Sequence, residues 1–340
     1  MNIRSALRTR ITGLLIAGLV ILTGCTSRVA QTPASTSTES WTTVSIDHAL
    51  GKATITKKPQ RIVTLGMGSA ETAIALGTVP VGVEEYPWGS DETGYLPWIY
   101  EEITKQGKEL PAQFKGGTEI DIEKILKLEP DLILAPWSGI TQEQYDLLKD
   151  IAPTVAYNKT PWVTSWQEQI NVIALALGMP DKGKELIKDV NDMLTSRAHK
   201  KYEGLTFSYI YNTGPGSLGV FFDGEQRVAM AKAMGLTLDP AMEELHKEHE
   251  GEDHASIGLE NADKLAKSDL IFTFYSNKEN RAEIEAQPLY QQIPAIARGS
   301  VVAPTDQALV TASSIVGPLT VPWVIERFEP LIDQAVEKLK

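Results

Sequence analysis

The chain has 340 residues, 42% of them hydrophobic, with 32 basic and 44 acidic side chains and one cysteine. That length and composition exclude disorder and a small stapled fold and suit two lobes with their own cores, while a single thiol excludes an intrachain disulfide and the zinc arrangements built on several cysteines. A formal charge of −12 speaks against a nucleic-acid partner, because phosphate neutralisation needs a basic face.

The first element is a targeting segment. Arg4, Arg8 and Arg10 precede the apolar run from Ile11 to Leu22, which ends in Leu22-Thr23-Gly24-Cys25. A basic region, a short apolar run and a small-residue cleavage site make a signal peptide, residues 1–24. The run is well short of the ~20 residues that span a bilayer. Leu-Thr-Gly-Cys resembles the bacterial lipobox, which implies that Cys25 is lipidated and becomes the mature N-terminus. Residues 25–42 then read as the anchored cysteine and a polar, Pro-containing tether. Loss of residues 1–24 removes three arginines and no acids, so the mature chain carries −15.

From Trp41 onward, short β-branched runs alternate with amphipathic helical stretches, the pattern of α/β layering. Arg61–Leu65 is a strand closed by Gly66, Ser69–Leu76 a helix stopped by Gly77, and Val79–Val83 the next strand. Asp121–Leu128 is a helix ended by Glu129-Pro130, Asp131–Ala135 a buried strand, Gln142–Lys149 a helix, and Thr154–Tyr157 closes this half. A long helix over residues 181–203 follows, about 33 Å at 1.5 Å per residue. Beyond it come the strand Thr206–Tyr211, helices over Val228–Met234 and Leu259–Ala266, and strands Asp269–Phe274 and Val301–Ala303. Ile120–Ser138 can be laid on Ile257–Ser276 with one inserted residue, placing Glu123 on Glu260, Asp131 on Asp269 and Trp137 on Tyr275. The parallel order predicts two Rossmann-like α/β lobes, residues 43–180 and 204–340, joined by one helix stiff enough to permit only small changes of lobe angle.

In open α/β sheets ligands bind beyond the carboxyl ends of the strands, so two such lobes enclose a cleft. The residues at those ends are Met67, Trp88, Trp137 and Trp162 in the first lobe and Tyr211, Tyr275, Lys278 and Arg281 in the second, with Arg227 just before the helix at 228. Trp98, Trp166 and Trp323 stand on helical or flanking segments and read as packing. Aromatic walls with a few cations suit a bulky, polarisable ligand.

The chain resembles the periplasmic-binding-protein family that captures ferric siderophores. The resemblance is carried by Pro59–Leu65 with Ala75-Leu-Gly77 and Pro80–Val83, Ile122–Ile125 with Glu129–Leu134, Tyr145–Thr154, Ala176-Leu-Gly178 and Gly317–Trp323. It implies a monomeric, lipid-anchored receptor on the extracytoplasmic face of the cell membrane that hands a ferric siderophore to the permease dimer of an ABC importer, needs no cofactor and catalyses nothing. It also implies that Glu123 and Glu260 dock the permease; read from the residues alone, the same glutamates compensate a helix dipole. Several members place an arginine after the second strand, whereas residues 84–100 here contain none, so cation duty passes to Arg227, Lys278 or Arg281.

Three other readings compete. Haem or a corrinoid could fill the same cleft. His246, His249 and His254 could hold a bare metal ion, against the plainer reading of Glu243–Asp253 as a charged surface helix and loop. An enzyme would use Gly66-Met-Gly68 with Glu84 as a dinucleotide site, but Glu71 replaces the third glycine and puts an anion where a pyrophosphate would approach.

Overall fold

The structure is a computed structural model that describes residues 41–196 and 200–340; the signal segment, Cys25 and most of the tether lie outside the described residues. It opens with a hairpin of β1 (Val44–His48) and β2 (Gly51–Ile55), antiparallel with Val44 opposite Ile55. Alternation turns Ile46, Ala53 and Ile55 inward, against Ile62, Leu132 and Ile173.

Next, β3 (Ile62–Thr64), β4 (Gly82–Glu84), β5 (Ala112–Phe114), β6 (Leu132–Leu134) and β7 (Thr154–Val155) form an all-parallel sheet in the order β5-β4-β3-β6-β7. Both faces are covered, which is why the strands read as unbroken apolar runs. Ile62, Leu132 and Leu134 pack with Ile173 and Ala174, while Val63, Leu65 and Ile133 pack with Ile125, Tyr145 and Leu148. The order reverses between β3 and β6, and that is where a crevice opens in a doubly wound sheet. The strand expected at Val79–Val83 lies slightly later, at Gly82–Glu84.

The connecting helix runs Pro180–Ser196, and Lys200–Tyr202 is a 3-10 turn, so the described helix is shorter than the 181–203 expected. In the second half, β8 (Thr206–Gly214) is central. It pairs in parallel with β12 (Leu270–Phe274) on one side, and β12 with β13 (Val301–Val302). On its other side, β10 (Thr237–Leu238) runs parallel to its first residues, and β9 (Ser217–Phe221) pairs antiparallel further along, followed by β11 (His254–Gly258) at the edge. The expected helix at 259–266 is a 3-10 helix, Leu259–Leu265.

The internal repeat has a physical counterpart. Asp131 accepts the Arg61 backbone N–H at 2.8 Å just before β3, and Asp269 accepts the Thr206 N–H at 2.8 Å at the start of β8. Each aspartate begins the strand beside the central one and ties down its neighbour's first residue. Besides the two clusters of the first half, one buried cluster runs through both halves: Ile74, Val83 and Trp98 share it with Val190 and Leu194 of the connecting helix and Val321 and Phe328 of the last helix, Thr320–Glu337. Among the described residues no helix is long and apolar enough to cross a membrane.

Candidate functional site

The floor of the first lobe is built at the reversal point. Gly66, immediately after β3, has φ 75°, and a Cβ there would lie 1.8 Å from the Trp137 carbonyl oxygen, so only glycine lets the two loops approach. Glu84, at the end of β4, accepts the Gly66 N–H at 2.8 Å and the Tyr86 hydroxyl at 3.1 Å. Gln169 donates to the Met67 carbonyl at 2.7 Å. These bonds fix the Gly66–Gly68 loop from beneath and spend the Glu84 carboxylate inside the lobe, where a dinucleotide ribose would have needed it.

Trp137 and Trp162 meet edge to face, with ring centroids 4.9 Å apart. Trp162 holds φ 66°, unusual for a bulky residue, and is 44% exposed. Its ring packs over Gly139, where a Cβ would stand 2.4 Å from the indole. Trp88 is 43% exposed and its indole N–H donates to the Ser276 carbonyl at 3.3 Å, so the first lobe touches the second beside Tyr275. Trp98 and Trp323 also meet across the halves, with centroids 5.5 Å apart, and the Trp323 N–H donates to Glu101 at 3.3 Å. Trp98 and Trp166 are buried, as their helical setting suggested.

In the second lobe, Tyr211 stacks between Phe221 and Phe274 at 4.9 and 5.8 Å. Gly219 makes room for it, since a Cβ there would stand 2.1 Å from the tyrosine ring. The Arg227 guanidinium lies over Phe221 and Phe274, 4.8 and 5.4 Å from their centroids. Arg227 is not ahead of its helix but in its first turn, because the helix starts at Gln226: Glu225 caps it by accepting the Arg227 backbone N–H at 2.7 Å, and its other oxygen pairs with the Arg227 side chain. Glu225 is buried, and burial pushes its carboxyl pKa up against the opposing pull of Arg227. The Arg227 Nε is buried and finds no acceptor among the described residues.

Lys278 and Arg281 stand on the helix Lys278–Glu285, beside a depression of about 430 Å³ shared with Tyr275, Ser276 and Thr305. Arg281 lies 5.3 Å from the Tyr275 centroid and donates to Glu285 at 2.8 Å, and the Tyr275 and Tyr290 hydroxyls are 3.2 Å apart. Glu123 and Glu260 are exposed in the first turns of the helices Ile122–Lys127 and Leu259–Leu265.

The histidines have other partners. His246 stacks on Phe222 at 4.6 Å, His249 pairs with Glu252 at 3.5 Å, and His254 lies on β11 with Nδ1 2.6 Å from Asp253. Among the described residues no three His, Cys, Asp or Glu gather as a metal site. Reasoning from sequence missed Glu225, Phe221 and Phe274. The two phenylalanines could have been found from the alternation that puts them on the Tyr211 face, but Glu225 gave no signal, since a capping glutamate looks like any surface acid.

Known proteins were then compared with this chain. The periplasmic binding protein family model matches residues 62–308. The probable siderophore-binding lipoprotein YfiY of Bacillus subtilis is 26% identical over 317 residues, covering 88% of this chain and 91% of its own. The Fe(3+)-citrate-binding protein YfmC of the same bacterium is 25% identical over 86% of this chain and 87% of its own. Streptococcus pneumoniae PiaA, solved in complex with ferrichrome, superposes with a TM-score of 0.79 at 30% identity, over 87% of this chain and all of that one. With a family match over most of its length and a two-lobed architecture to go with it, the chain belongs to the periplasmic binding protein family.

Proposed function

We propose that the protein is an extracytoplasmic receptor that binds a ferric siderophore between its lobes and delivers it to an ABC importer. The observation that carries this reading is that exposed indoles stand in the loops after the strands of one lobe while Arg227 lies on an aromatic stack in the other. Tryptophan faces cover the apolar periphery of a chelate, and the part of the Arg227 guanidinium that is not buried donates to oxygen ligands of iron without displacing them. No bond is made or broken; binding and release suffice.

Cys25 holds the receptor at the membrane through its lipid, and the polar tether lets the folded part reach the permease. Glu123 and Glu260, exposed at matching places in the two halves, meet basic side chains of a permease dimer, one on each subunit. A monomer is enough for that geometry. The test is uptake of radioactive iron by cells that lack the endogenous receptor and are fed a ferric siderophore. Expression of this chain restores uptake, and the Glu123→Ala, Glu260→Ala double variant abolishes most of it while still binding ligand in vitro. Loss of ligand binding in the double variant would overturn the docking role, and no rescue by the wild type with any ferric siderophore would overturn the function.

A further inference from the structure

The relatives named for ferrichrome and for ferric citrate carry ligands of different charge, so the class taken here has to be read from the cleft itself. Two of the three cations at the strand ends of the second lobe are spent on anions, Arg227 on buried Glu225 and Arg281 on Glu285, and the depression that holds Lys278 is also lined by Glu279. Asp253, less than a quarter exposed, adds a further negative charge against His254, whose ring lies 6.3 Å from Tyr211. In the first lobe the loops after β3, β6 and β7 carry Met67, Trp137 and Trp162 and add no cation among these three, and Glu84 at the end of β4 is spent inside the lobe. The anions at these positions at least equal the cations.

From this balance, and resting on the receptor reading above, we infer that the cleft takes an electrically neutral ferric tris-hydroxamate rather than an anionic catecholate or carboxylate complex. Three singly charged hydroxamates cancel iron(III), whereas three doubly charged catecholates leave a trianion. A trianion buried beside Glu225 and Asp253 would need several unpaired cations, because desolvated charge is tolerated only when it is matched. A neutral complex needs one directional donor for its iron-bound oxygens, supplied by the partly exposed end of the Arg227 guanidinium, and polarisable walls for its carbon framework, supplied by Trp88, Trp137 and Trp162. Glu225 has a definite part in this selection: it cancels the charge of Arg227.

The experiment titrates the purified protein with ferrichrome as the neutral trihydroxamate and ferric enterobactin as the trianionic tricatecholate, at salt concentrations from about 0.05 to 0.5 M. Ferrichrome is expected to bind about 100-fold or more tightly than ferric enterobactin, since like charges are set against each other in the second complex. Its Kd is expected to change less than about twofold across the salt range, because screening has no net charge to act on. Glu225→Gln, or Asp253→Asn where the first variant folds poorly, narrows the preference by about tenfold as cation charge is released. Tighter binding of ferric enterobactin, or a ferrichrome affinity that falls steeply with salt, overturns the inference and leaves the receptor function standing. Binding of neither complex nor of any other ferric siderophore overturns both.

Discussion

Arg227 and Glu225 show how one residue pair serves both stability and the site. Glu225 is 5% exposed, so removing its partner leaves an uncompensated buried charge. Arg227→Met should destabilise the fold by about 3–5 kcal/mol, while the double variant Glu225→Met, Arg227→Met should recover most of that loss, because a buried ion pair replaced whole by apolar groups costs little. Urea denaturation of the three proteins checks this, and equal losses in single and double variants would contradict it. Glu71 is a second buried acid, 1% exposed, accepting the Trp98 indole N–H at 2.9 Å. Burial raises its pKa, the Trp98 hydrogen bond opposing. The folded state therefore keeps this proton longer than the unfolded state, so the associated stability is present below the ordinary glutamate pKa and is lost as pH rises through the folded value. Melting temperatures measured from mildly acidic to neutral pH should fall for the wild type relative to Glu71→Gln, whereas parallel curves would show that the carboxyl does not titrate in that window. Glu71→Ala strands the indole N–H and should cost about 1–3 kcal/mol.

At the scale of elements, the loop after β3 sets the floor of the cleft. Gly66→Ala combines φ 75° with a Cβ pressed on the Trp137 carbonyl, so it should push the β3 and β6 loops apart and weaken ligand binding about tenfold or more, measured by titration. Wild-type affinity in that variant would mean that ligand does not use this floor. The paired aspartates make a graded expectation: Asp269→Ala should cost about 1–3 kcal/mol, since it leaves the part-buried Thr206 N–H without its acceptor, and Asp131→Ala should cost less, since water replaces the acceptor of the exposed Arg61 N–H. Their equivalence was readable in the sequence because helix, proline or serine, aspartate and apolar strand recur in order. The loop after β3 was readable too, as Gly66 closes the run Arg61–Leu65, whereas the strand order that puts the reversal there was not. The β1–β2 hairpin was not, because Val44–His48 alternates over too few residues to separate strand from tether. The start of the helix at Gln226 was also hidden, since its cap is a glutamate whose role depends on burial, and burial is set by strands distant in the chain.

For the whole molecule, what matters is that the halves share a buried cluster running through the connecting helix. Val190 and Leu194 pack with residues of both sides, so ligand binding should shift the lobes by a small rotation rather than a wide hinge closure, and small-angle scattering should record nearly the same radius of gyration with and without ligand. The Trp88 bond to the Ser276 carbonyl and the Trp98–Trp323 contact act in the same direction. The pattern of two lobes, one helix and a cleft followed from the sequence because each depends on local periodicity and order. The arrangement of the site depended on contacts such as Trp137 on Trp162, Tyr211 on Phe274 and Trp88 on Ser276, which join separate strands and loops and which no local pattern encodes. The central claim, that a ferric siderophore is held between the lobes, is tested most directly by equilibrium titration of the purified protein and its Trp88→Ala variant with ferrichrome, following tryptophan fluorescence. The account predicts saturable quenching with one ligand per chain, and a Kd raised about 10- to 100-fold in the variant with its melting temperature unchanged, as expected for loss of one aromatic contact of about 1–3 kcal/mol. Saturable binding of equal strength in the two proteins would place the ligand elsewhere, and no saturable change with any ferric siderophore would contradict the claim outright.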